Sequence, residues 1–203
     1  MKTDILLSSC PIISDQVDAR ELKVLLYELE SQLQRGMSGS VVEFGCYVGT
    51  TSLFIRRLLD AYNSTAEYHV YDSFEGLPEK SAIDESCLGR QFKAGELLAR
   101  KKDLVGNFKK ANLHSPVIHK NWFNQLESAD TPQSISFAFL DGDYYESIRD
   151  SLRHITHKLT ESAVIIVDDY ANEALPGVAR AVDEWRRLYP HRLRIQASLA
   201  VIK

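Results

Sequence analysis

The sequence has few cysteines, no excess of basic residues and no long apolar run. Its 203 residues include Cys10, Cys46 and Cys87 without disulfide or metal-ligand spacing, which is typical of a reducing compartment such as the cytoplasm. With 24 basic against 28 acidic residues, the formal net charge of -4 argues against a nucleic-acid partner, which favours a basic surface. No apolar run reaches the roughly 20 residues of a membrane-spanning helix, and Ile5–Leu7 is too short for an export signal. We therefore expect a cytoplasmic protein without membrane or nucleic-acid partners.

Internal repeats, low-complexity tracts and linkers are also absent from the sequence, which predicts a single domain over residues 1–203. Short β-branched runs alternate with segments of helical spacing, as is typical of an α/β fold. The predicted strands lie at residues 41–44, 68–71, 117–119, 135–140 and 163–167, followed by an antiparallel pair at 193–195 and 199–202. The predicted helices lie at residues 17–33, 51–61, 96–110 and 144–159 and from 176 onward. We predict a doubly wound, mostly parallel, Rossmann-like sheet of about seven strands, with residues 1–38 as an N-terminal helical cap.

The segment of residues 73–95 is long and irregular for a compact domain. Gly76, Pro78, Gly89 and Gly95 interrupt any helical or strand pattern there. Segments of this length inside a compact domain are usually functional lids or are disordered. We predict a lid that closes over a bound ligand.

Aspartates follow two of the predicted strands at the point where each strand ends. Asp141 comes directly after the fourth strand, and Asp168 and Asp169 come directly after the fifth. One helix separates these strands, so a β-α-β crossover brings the three carboxylates to the same edge of the sheet. Two unit charges about 4 Å apart interact by roughly 4 kcal/mol at an effective dielectric near 20, so the cluster needs a cation or shared protons. Helix capping can explain Asp143 or one other aspartate but not all three, and we predict a divalent-metal site.

The first predicted strand leads into a glycine-containing turn, Glu43-Phe44-Gly45-Cys46-Tyr47-Val48-Gly49-Thr50. Gly45 permits a sharp exit from the strand, and Gly49 permits the close approach of a ligand or of neighbouring backbone. The turn opens a helix whose free N–H groups favour a carboxylate or phosphate, with a tight turn that binds no ligand as the alternative. Tyr47 occupies the position of the second glycine in the dinucleotide fingerprint, which disfavours a pyrophosphate. Glu43, at the end of the strand, can hold a cationic or hydroxylated part of a ligand.

Two further residues extend this interpretation to an adenosine-containing ligand. Asp72 ends the second strand, where an acid can bind both hydroxyls of a ribose, or can simply cap a turn. Trp122 follows the third strand and can lie against an adenine ring or fill the core. Cys46 is expected to be a small packing residue rather than a reactive thiol. Together with the glycine turn, these positions predict an adenosine-type ligand without a pyrophosphate.

Four segments, in order between Val41 and Trp185, resemble the macrocin O-methyltransferase family. They are Glu43–Thr51, Tyr71-Asp72-Ser73-Phe74-Glu75-Gly76-Leu77-Pro78, Leu140-Asp141-Gly142-Asp143-Tyr144-Tyr145-Glu146-Ser147 and Val167-Asp168-Asp169-Tyr170. The Asp-Ser-Phe-Glu-Gly-Leu-Pro and Leu-Asp-Gly-Asp segments are fairly specific, whereas the glycine turn alone is not. The resemblance implies a class I methyltransferase that uses S-adenosylmethionine and Mg²⁺ to methylate a hydroxyl of a sugar in an antibiotic or related natural product. It also suggests a homo-oligomer.

The resemblance also assigns roles by position. It makes Asp141, Asp168 and Asp169 the metal ligands, with Asp141 as the catalytic base as well. It puts the cofactor against Glu43, Gly45, Tyr47, Gly49, Thr51, Asp72, Ser73, Phe74, Asn121, Trp122 and Asp141. Asn121 replaces a glycine that is usual before that tryptophan, and Ser162-Ala163 replaces a glycine pair, so local contacts are expected to differ. The N-terminal extension of larger members has no counterpart in this sequence, so the cover over the acceptor is expected to differ as well.

Other functions fit parts of the same pattern. A catechol-type acceptor suits metal-dependent methyl transfer, since adjacent hydroxyls chelate a metal in the same way. A nicotinamide-dependent oxidoreductase uses the same type of sheet, but Tyr47 in the glycine turn speaks against it. A phosphohydrolase with Asp141 and Asp143 as its acidic pair would not need the adenosine features. A non-catalytic binding or assembly protein would not need three converging aspartates.

Overall fold

A computed structural model of the chain describes residues 1–90 and 92–203 and is built around one seven-stranded sheet. The strand order is β3-β2-β1-β4-β5-β7-β6. Strands β1 to β5 are parallel, β7 is antiparallel to β5, and β6 is antiparallel to β7. The strands are β1 Ser40–Phe44, β2 Tyr68–Asp72, β3 Val117–Lys120, β4 Ile135–Leu140, β5 Leu159–Val167, β6 Leu193–Gln196 and β7 Leu199–Ile202.

Helices cover both faces of the sheet, and each face has its own apolar core. Helices α1 to α4 pack on one face, and α5 and α6 pack on the other. The helices are α1 Lys2–Ser9, α2 Ala19–Gln34, α3 Thr50–Ala61, α4 Lys101–Lys110, α5 Tyr145–Ile155 and α6 Pro176–Leu188. Short 3-10 turns are found at Phe123–Gln125, Ser128–Asp130 and Thr156–Lys158.

Strand β4 shows how the sequence specifies these two layers. Phe137 and Phe139 belong to the core under α2 and α3, whereas Ala138 and Leu140 belong to the core under α5 and α6. Every residue of β4 is buried. A central parallel strand that is covered on both sides needs a nearly continuous apolar run, and Ile135 to Leu140 supplies one. Its one polar residue, Ser136, accepts a hydrogen bond from the backbone N–H of Gly39 at 2.8 Å.

The doubly wound, mostly parallel sheet predicted from the sequence is confirmed, but helix α4 is shorter than predicted. It begins at Lys101 rather than near residue 96. Gly95 and Leu97 have left-handed backbones, with φ of 79° and 55°, and no helix passes through such residues. The side chain of Asp103 then accepts a hydrogen bond from the backbone N–H of Arg100 at 3.1 Å, which sets the start of the helix.

The boundary between α5 and β5 also differs from the prediction. Helix α5 ends at Ile155 and β5 already begins at Leu159, with a 3-10 turn between them. The hydroxyl of Thr156 donates to the backbone carbonyl of Leu152 at 2.6 Å and accepts from the indole of Trp185 at 2.9 Å. These two bonds hold the turn against α6, so the chain enters β5 earlier than the apolar run alone indicates.

Helix α1 was not predicted as a separate element. Its apolar residues Ile5–Leu7 are contiguous rather than three or four apart, so the sequence carries no helical periodicity there. Contacts with later elements hold this helix instead. The buried carboxylate of Glu30 in α2 accepts hydrogen bonds from the backbone N–H groups of Lys2 and Thr3 and from the hydroxyl of Tyr62.

None of the helices in the described ranges, 1–90 and 92–203, has the length and apolar character that crossing a membrane requires.

Candidate active site at the carboxyl edge of the sheet

A cavity of about 290 Å³ opens at the carboxyl ends of the parallel strands. It lies where the strand order reverses between β1 and β4, which is the usual ligand position in sheets of this type. It is lined by Asp15, Gln16, Gly45, Cys46, Tyr47, Asp72, Ser73, Gly76, Leu77, Pro78, Phe92, Leu97, Trp122, Phe123, Asp141, Gly142, Asp143, Ser147, Asp168, Asp169 and Asn172. The cavity thus combines an aspartate-rich part with an apolar part.

The aspartate-rich part is formed by the chain segments that leave β4 and β5. The backbone N–H of Asp141 donates to the carbonyl of Phe44 at 2.8 Å, and that of Asp168 donates to the carbonyl of Leu140 at 2.9 Å. These bonds continue the sheet ladder by one residue and hold both aspartates at its edge. Oxygens of Asp141, Asp143 and Asp169 all lie within 4.8 Å of one another. The crossover from β4 to β5 therefore brings acids from the ends of both strands together, and Asp143 belongs to this three-carboxylate group.

Asp168 has a different position from Asp169. Its Oδ1 accepts a hydrogen bond from the backbone N–H of Asp169 at 2.8 Å, so it stabilises the turn after β5. It still lines the cavity, and its charge acts on Asp141. Asp168 thus lies beside the three-carboxylate group.

Asp143 does not act as a helix cap. Within the described residues, the N-cap position of α5 is Tyr144, which makes no side-chain capping bond. The backbone N–H of Tyr145 instead donates to Oδ1 of the distant Asp84 at 2.7 Å. Asp143 and Asp169 have left-handed backbones, with φ of 59° and 56°, which is strained for residues other than glycine. Both of these left-handed residues contribute a carboxylate to the three-carboxylate group.

Burial and mutual repulsion dominate the electrostatics of this group. Burial, followed by the charge of Asp168, holds the pKa of the Asp141 carboxyl well above its ordinary value. Burial and then the charge of Asp169 raise the pKa of Asp143 to about 7. Among the described residues that line the cavity, none is a lysine, arginine or histidine that would neutralise these acids. Clustered carboxylate oxygens with no basic side chain to neutralise them are a suitable set of ligands for a hard divalent ion.

The glycine turn forms the next wall of the cavity. Gly45 has a φ of 87°, and a Cβ added there would overlap the backbone carbonyl oxygen of Asp141. Gly45 therefore allows the chain leaving β1 to contact the chain leaving β4. A Cβ added at Gly49 would overlap the side chain of Leu104, so this glycine makes room for helix α4. Tyr47, between them, has a left-handed backbone with a φ of 49°.

Asp72, at the end of β2, ties this turn in place. Its Oδ2 accepts hydrogen bonds from the backbone N–H groups of Cys46 and Tyr47, at 2.9 and 3.3 Å. Its Oδ1 accepts from the backbone N–H of Phe74 at 2.7 Å. Burial raises the pKa of the neighbouring Cys46 thiol, which fits a packing residue rather than a reactive one. Asp72 thus shapes the turn and also faces the cavity.

The apolar part of the cavity is formed by loops that follow β2 and β3. Its residues are Leu77, Pro78, Phe92, Leu97, Trp122 and Phe123. The ring of Phe123 meets that of the buried Phe44 edge-on, with centroids 5.3 Å apart, which fixes this wall on the sheet. A flat apolar ring suits such a wall.

The residues that the resemblance assigned to the cofactor fall into two groups. Those that line the cavity are Gly45, Tyr47, Asp72, Ser73, Trp122 and Asp141. Those outside the described lining are Glu43, Gly49, Thr51, Phe74 and Asn121. The side chain of Asn121 bonds to the backbone of Trp122 and of Gln125, so it shapes the turn that carries Trp122.

Glu43 is fully buried beneath the turn. Its Oε2 accepts hydrogen bonds from the hydroxyls of Ser52, at 2.7 Å, and Tyr68. Its Oε1 has no hydrogen-bond partner among the described residues. Burial raises the pKa of the Glu43 carboxyl to about 7, with a further contribution from the charge of Asp72. Glu43 thus links β1, β2 and α3 below the cavity.

Several lining residues were not identified from the sequence. Asp15 and Gln16 come from the connection between α1 and α2, and Asn172 comes from the loop after β5. A bond of 2.7 Å between the hydroxyls of Ser14 and Thr50 holds that connection against the start of α3. No local motif marks these residues, because only the tertiary fold brings them to the cavity.

The segment of residues 73–95 is docked onto the rest of the domain. Residue 91, within it, lies outside the described residues. Asp84 is 1% exposed and bonds to the start of α5. Gly177 in α6 lies so close that an added Cβ would overlap the carboxylate of Asp84, and a Cβ at Gly89 would overlap the carbonyl of Ala174. Both ends of the segment contribute cavity residues, namely Ser73 and Phe92.

Known proteins are similar to this chain in sequence and in fold. The model of the Macrocin-O-methyltransferase (TylF) family matches residues 14–202. The 8-demethyl-8-(2,3-dimethoxy-alpha-L-rhamnosyl)-tetracenomycin-C 4'-O-methyltransferase of Streptomyces olivaceus is 32% identical over 180 residues, which are 85% of this chain and 67% of that protein. The O-methyltransferase NovP superposes with a TM-score of 0.78 at 24% identity, over 91% of this chain and 79% of NovP. The O-methyltransferase from Bacillus cereus in complex with SAH superposes with a TM-score of 0.60 at 14% identity, over 100% of this chain and 89% of that protein.

Proposed function

Because the chain belongs to the macrocin O-methyltransferase family, we propose that it transfers a methyl group from S-adenosylmethionine to a hydroxyl of a sugar in a natural product. Membership of the family makes the chain an O-methyltransferase. What we propose is the identity of its acceptor, its cofactor and its metal. The observation that carries the proposal is one cavity with clustered buried carboxylates in one part and an apolar wall in another. These two features suit the polar acceptor and the adenine ring respectively.

The chain offers suitable groups for the proposed cofactor. Trp122 and Phe123 present aromatic surface to the adenine ring, and Asp72 can accept hydrogen bonds from ribose hydroxyls in addition to its backbone bonds. The turn of Gly45, Cys46 and Tyr47 lies between Asp72 and the acidic group. A solved neighbour of the same fold is in complex with SAH, which supports this choice of cofactor. Gly49, Thr51, Phe74 and Asn121 would act indirectly, by shaping the turns.

The acidic group fits a divalent cation such as Mg²⁺. Asp141, Asp143 and Asp169 would hold it, with Asp168 completing the ligand set assigned from the family. Their donor atoms are all oxygens, they are clustered, and the described lining has no basic side chain to balance them. Such an ion lowers the pKa of a bound alcohol and fixes its direction.

The transfer itself breaks the bond from sulfur to the methyl carbon and forms a bond from that carbon to the acceptor oxygen. Asp141 accepts the proton that the hydroxyl loses, so the products are a thioether and a methyl ether. The walls hold donor and acceptor in line, which can supply about 7–11 kcal/mol of the reduction in the barrier. Residues 73–95 would close over the cofactor and exclude water.

Two measurements test the proposal. Calorimetric titration with S-adenosylhomocysteine should give saturable binding, and Trp122→Ala should weaken it while the exposed control Glu161→Ala should not. Transfer of a labelled methyl group to a panel of glycosides should require a divalent ion and be abolished by Asp141→Ala, with cofactor binding largely retained. Full turnover in excess chelator, without detectable metal, would exclude the metal-dependent mechanism. A simple catechol that is methylated in preference to every glycoside would favour the catechol-type alternative.

A further inference from the structure

Two histidines meet at the edge of the sheet that lies away from β4 and β5. His69 is on β2 and His119 is on the edge strand β3. Nδ1 of His69 and Nε2 of His119 are 3.1 Å apart. The ring planes are within 15° of parallel and the centroids are 5.4 Å apart, so the rings meet edge to edge rather than face to face. This is the geometry of a single N–H···N hydrogen bond, in which one imidazole donates and the other accepts.

A row of rings connects this histidine pair to the cavity. The ring of His119 lies on that of Tyr71, with centroids 4.5 Å apart and planes within 12° of parallel. Tyr71 lies in turn on Phe44, with centroids 4.4 Å apart. Phe44 meets Phe123, which lines the cavity. The position of Phe123 therefore depends on packing that begins at the histidine pair.

The backbone gives a second connection between the pair and the cavity. Strand β3 is bonded to β2, and this ladder continues past the end of β3, where the N–H of Asn121 donates to the carbonyl of Asp72 at 3.1 Å. The next residue, Trp122, lines the cavity, as Asp72 does. Trp122 therefore keeps its distance from Asp72 only while β3 stays paired with β2. We call Trp122 and Phe123 the aromatic wall.

The hydrogen bond of the pair tolerates one added proton but not two. When both rings are imidazolium ions, each facing nitrogen carries a hydrogen, so neither accepts and the two positive charges repel each other. Burial lowers the pKa of His69, and burial followed by the charge of His69 lowers the pKa of His119, both from the ordinary value of 6.5. The folded pair therefore resists the second proton as the pH falls below 6.5, and that proton, once bound, separates the rings.

Three other charged groups face the pair. The exposed carboxylate of Glu67 lies 3.5 Å from Nε2 of His69. Asp130, in the second 3-10 turn, raises the pKa of His119, and Lys101 of α4 lowers it. The two carboxylates thus favour a proton on each ring, whereas Lys101 and the partner ring oppose it. Acid therefore loads both rings at the expense of the bond between them.

A third histidine holds the aromatic wall in a way that does not depend on pH. Nε2 of His154 in α5 bonds to the backbone carbonyl of Phe123 at 2.9 Å. A ring nitrogen that faces a carbonyl carries a hydrogen in the neutral and in the protonated imidazole alike. Acid therefore leaves this bond intact while it breaks the bond between His69 and His119.

We propose that His69 and His119 are positioning residues for the aromatic wall, and that their shared N–H···N bond keeps the wall in the place where it binds the cofactor. Protonation of both rings breaks this bond, loosens β3 from β2 and displaces the wall. The transfer of the methyl group uses neither ring. The inference deepens the proposed function and rests on it, since it assigns a pH dependence of cofactor binding to an edge of the sheet outside the acidic group.

A measurement on the ligand-free protein tests the pair directly. The indole N–H resonance of Trp122 is followed by NMR from pH 8 to pH 5. We expect this resonance to shift below pH 6.5 in the wild type. His119→Phe keeps a ring on Tyr71 but removes the nitrogen that shares the hydrogen, so the shift should be largely lost in this variant. The same titration of Trp122 in the wild type and in His119→Phe would overturn the inference, whatever the cofactor.

Two controls accompany this titration. His114→Phe makes the same substitution at an exposed histidine and should leave the shift of Trp122 as in the wild type. The indole of Trp185, whose ring centroid is 5.3 Å from that of His191, is an internal reference and should titrate alike in all three proteins. Loss of the Trp122 shift in His114→Phe as well would contradict the role of the pair.

The functional consequence is measured by calorimetric titration with S-adenosylhomocysteine at pH 8 and pH 5. Between these values we expect the affinity to fall about tenfold more in the wild type than in His119→Phe or His69→Phe. Groups near the acidic part titrate in every protein and cancel in this comparison. An equal fall in all three proteins would overturn the inference. A wild type that binds no S-adenosylhomocysteine at pH 8 would instead contradict the proposed function, and the titration of Trp122 would still decide whether the pair positions the wall.

Discussion

At the scale of single residues, the backbone of the acidic group matters as much as its side chains. Asp143 and Asp169 hold left-handed conformations that cost energy for any residue with a Cβ. The sequence predicted that acids from β4 and β5 converge, because parallel strands end at a common edge. It did not predict the part played by Asp143, because the direction of that side chain depends on a φ of 59° that no local pattern indicates.

A substitution at Asp143 tests this assignment. Asp143→Asn keeps the size of the side chain and removes one of the three clustered carboxylates, so we expect the affinity for a divalent ion to fall about 10–100-fold. The measurement is a calorimetric titration with Mn²⁺, a good probe of oxygen-ligand sites. Asp60→Asn, on the far exposed surface of α3, is the control. Unchanged Mn²⁺ affinity in Asp143→Asn would show that Asp141, Asp168 and Asp169 suffice.

Glu43 should give the stability of the protein a pH dependence. Burial raises its pKa from 4.5 to about 7, so the folded chain keeps a proton that the unfolded chain releases between these values. The stability from this group is complete below pH 4.5 and is lost as the pH rises to 7, by about 3 kcal/mol in total.

Denaturant unfolding of the wild type and of Glu43→Gln between pH 4.5 and 8 isolates this effect. Glutamine stays neutral over this range. The free energy of unfolding should therefore fall less with rising pH in the variant than in the wild type, and the difference is the contribution of Glu43. The other buried acids titrate in both proteins and cancel in the difference. Glu85→Gln, at an exposed position, should behave as the wild type. Parallel curves for Glu43→Gln and the wild type would contradict the raised pKa.

At the scale of elements, the strands and the order of helices α2 to α6 follow from the apolar pattern alone. The two helix boundaries that were wrong have different causes: left-handed backbones at Gly95 and Leu97 delay the start of α4, and the bonds of Thr156 hold the turn that ends α5. The start of α5 was predicted to within one residue, but not the contact made there, because the free N–H of Tyr145 is satisfied by Asp84, about 60 residues earlier in the chain. The pattern within residues 73–95 gave no sign of that bond.

Removal of this bond should loosen residues 73–95. Asp84→Ala leaves the N–H of Tyr145 without its acceptor and removes a buried carboxylate, so we expect a loss of about 1–2 kcal/mol in the free energy of unfolding. Glu85→Ala, next to it and exposed, should cost far less. Chemical denaturation measures both. If the two variants are equally stable, Asp84 does not anchor the segment.

The predicted lid is tested on the same pair of variants. Cleavage within residues 73–95 by a protease should be slower when S-adenosylhomocysteine is bound, because the segment contributes Ser73, Gly76, Leu77, Pro78 and Phe92 to the cavity. Asp84→Ala should be cleaved faster than the wild type without the ligand. Equal cleavage of the wild type with and without ligand would show that the segment does not close.

At the scale of the whole molecule, the fold brings six aspartates from widely separated positions to one cavity, five from the ends of strands and Asp15 from the connection between α1 and α2. The family and the class of chemistry could be predicted from four short segments. The acceptor could not, because Asp15, Gln16 and Asn172 reach the cavity through the path of the chain and have no motif of their own.

This concentration of charge predicts that a divalent ion stabilises the fold. An ion that binds only the folded state adds about 2.7 kcal/mol at 100 times its dissociation constant. We therefore expect MgCl₂ to raise the melting temperature of the wild type, relative to NaCl at the same ionic strength. The effect should be lost in Asp141→Asn/Asp169→Asn, which should itself be more stable than the wild type without the ion. If MgCl₂ raised the melting temperatures of the wild type and the double variant equally, the stabilisation would not come from an ion at this site.

The absence of a side chain at Gly45 couples two halves of the site. Because the chain leaving β1 lies directly against the backbone of Asp141, any larger residue at position 45 would displace the glycine turn and the acidic part of the cavity at the same time. Selection for a new acceptor is therefore expected to leave position 45 untouched and to act on the connection between α1 and α2. That connection borders the cavity without lying between the glycine turn and the acidic part. It can therefore change in sequence and length while these two parts keep their relative positions.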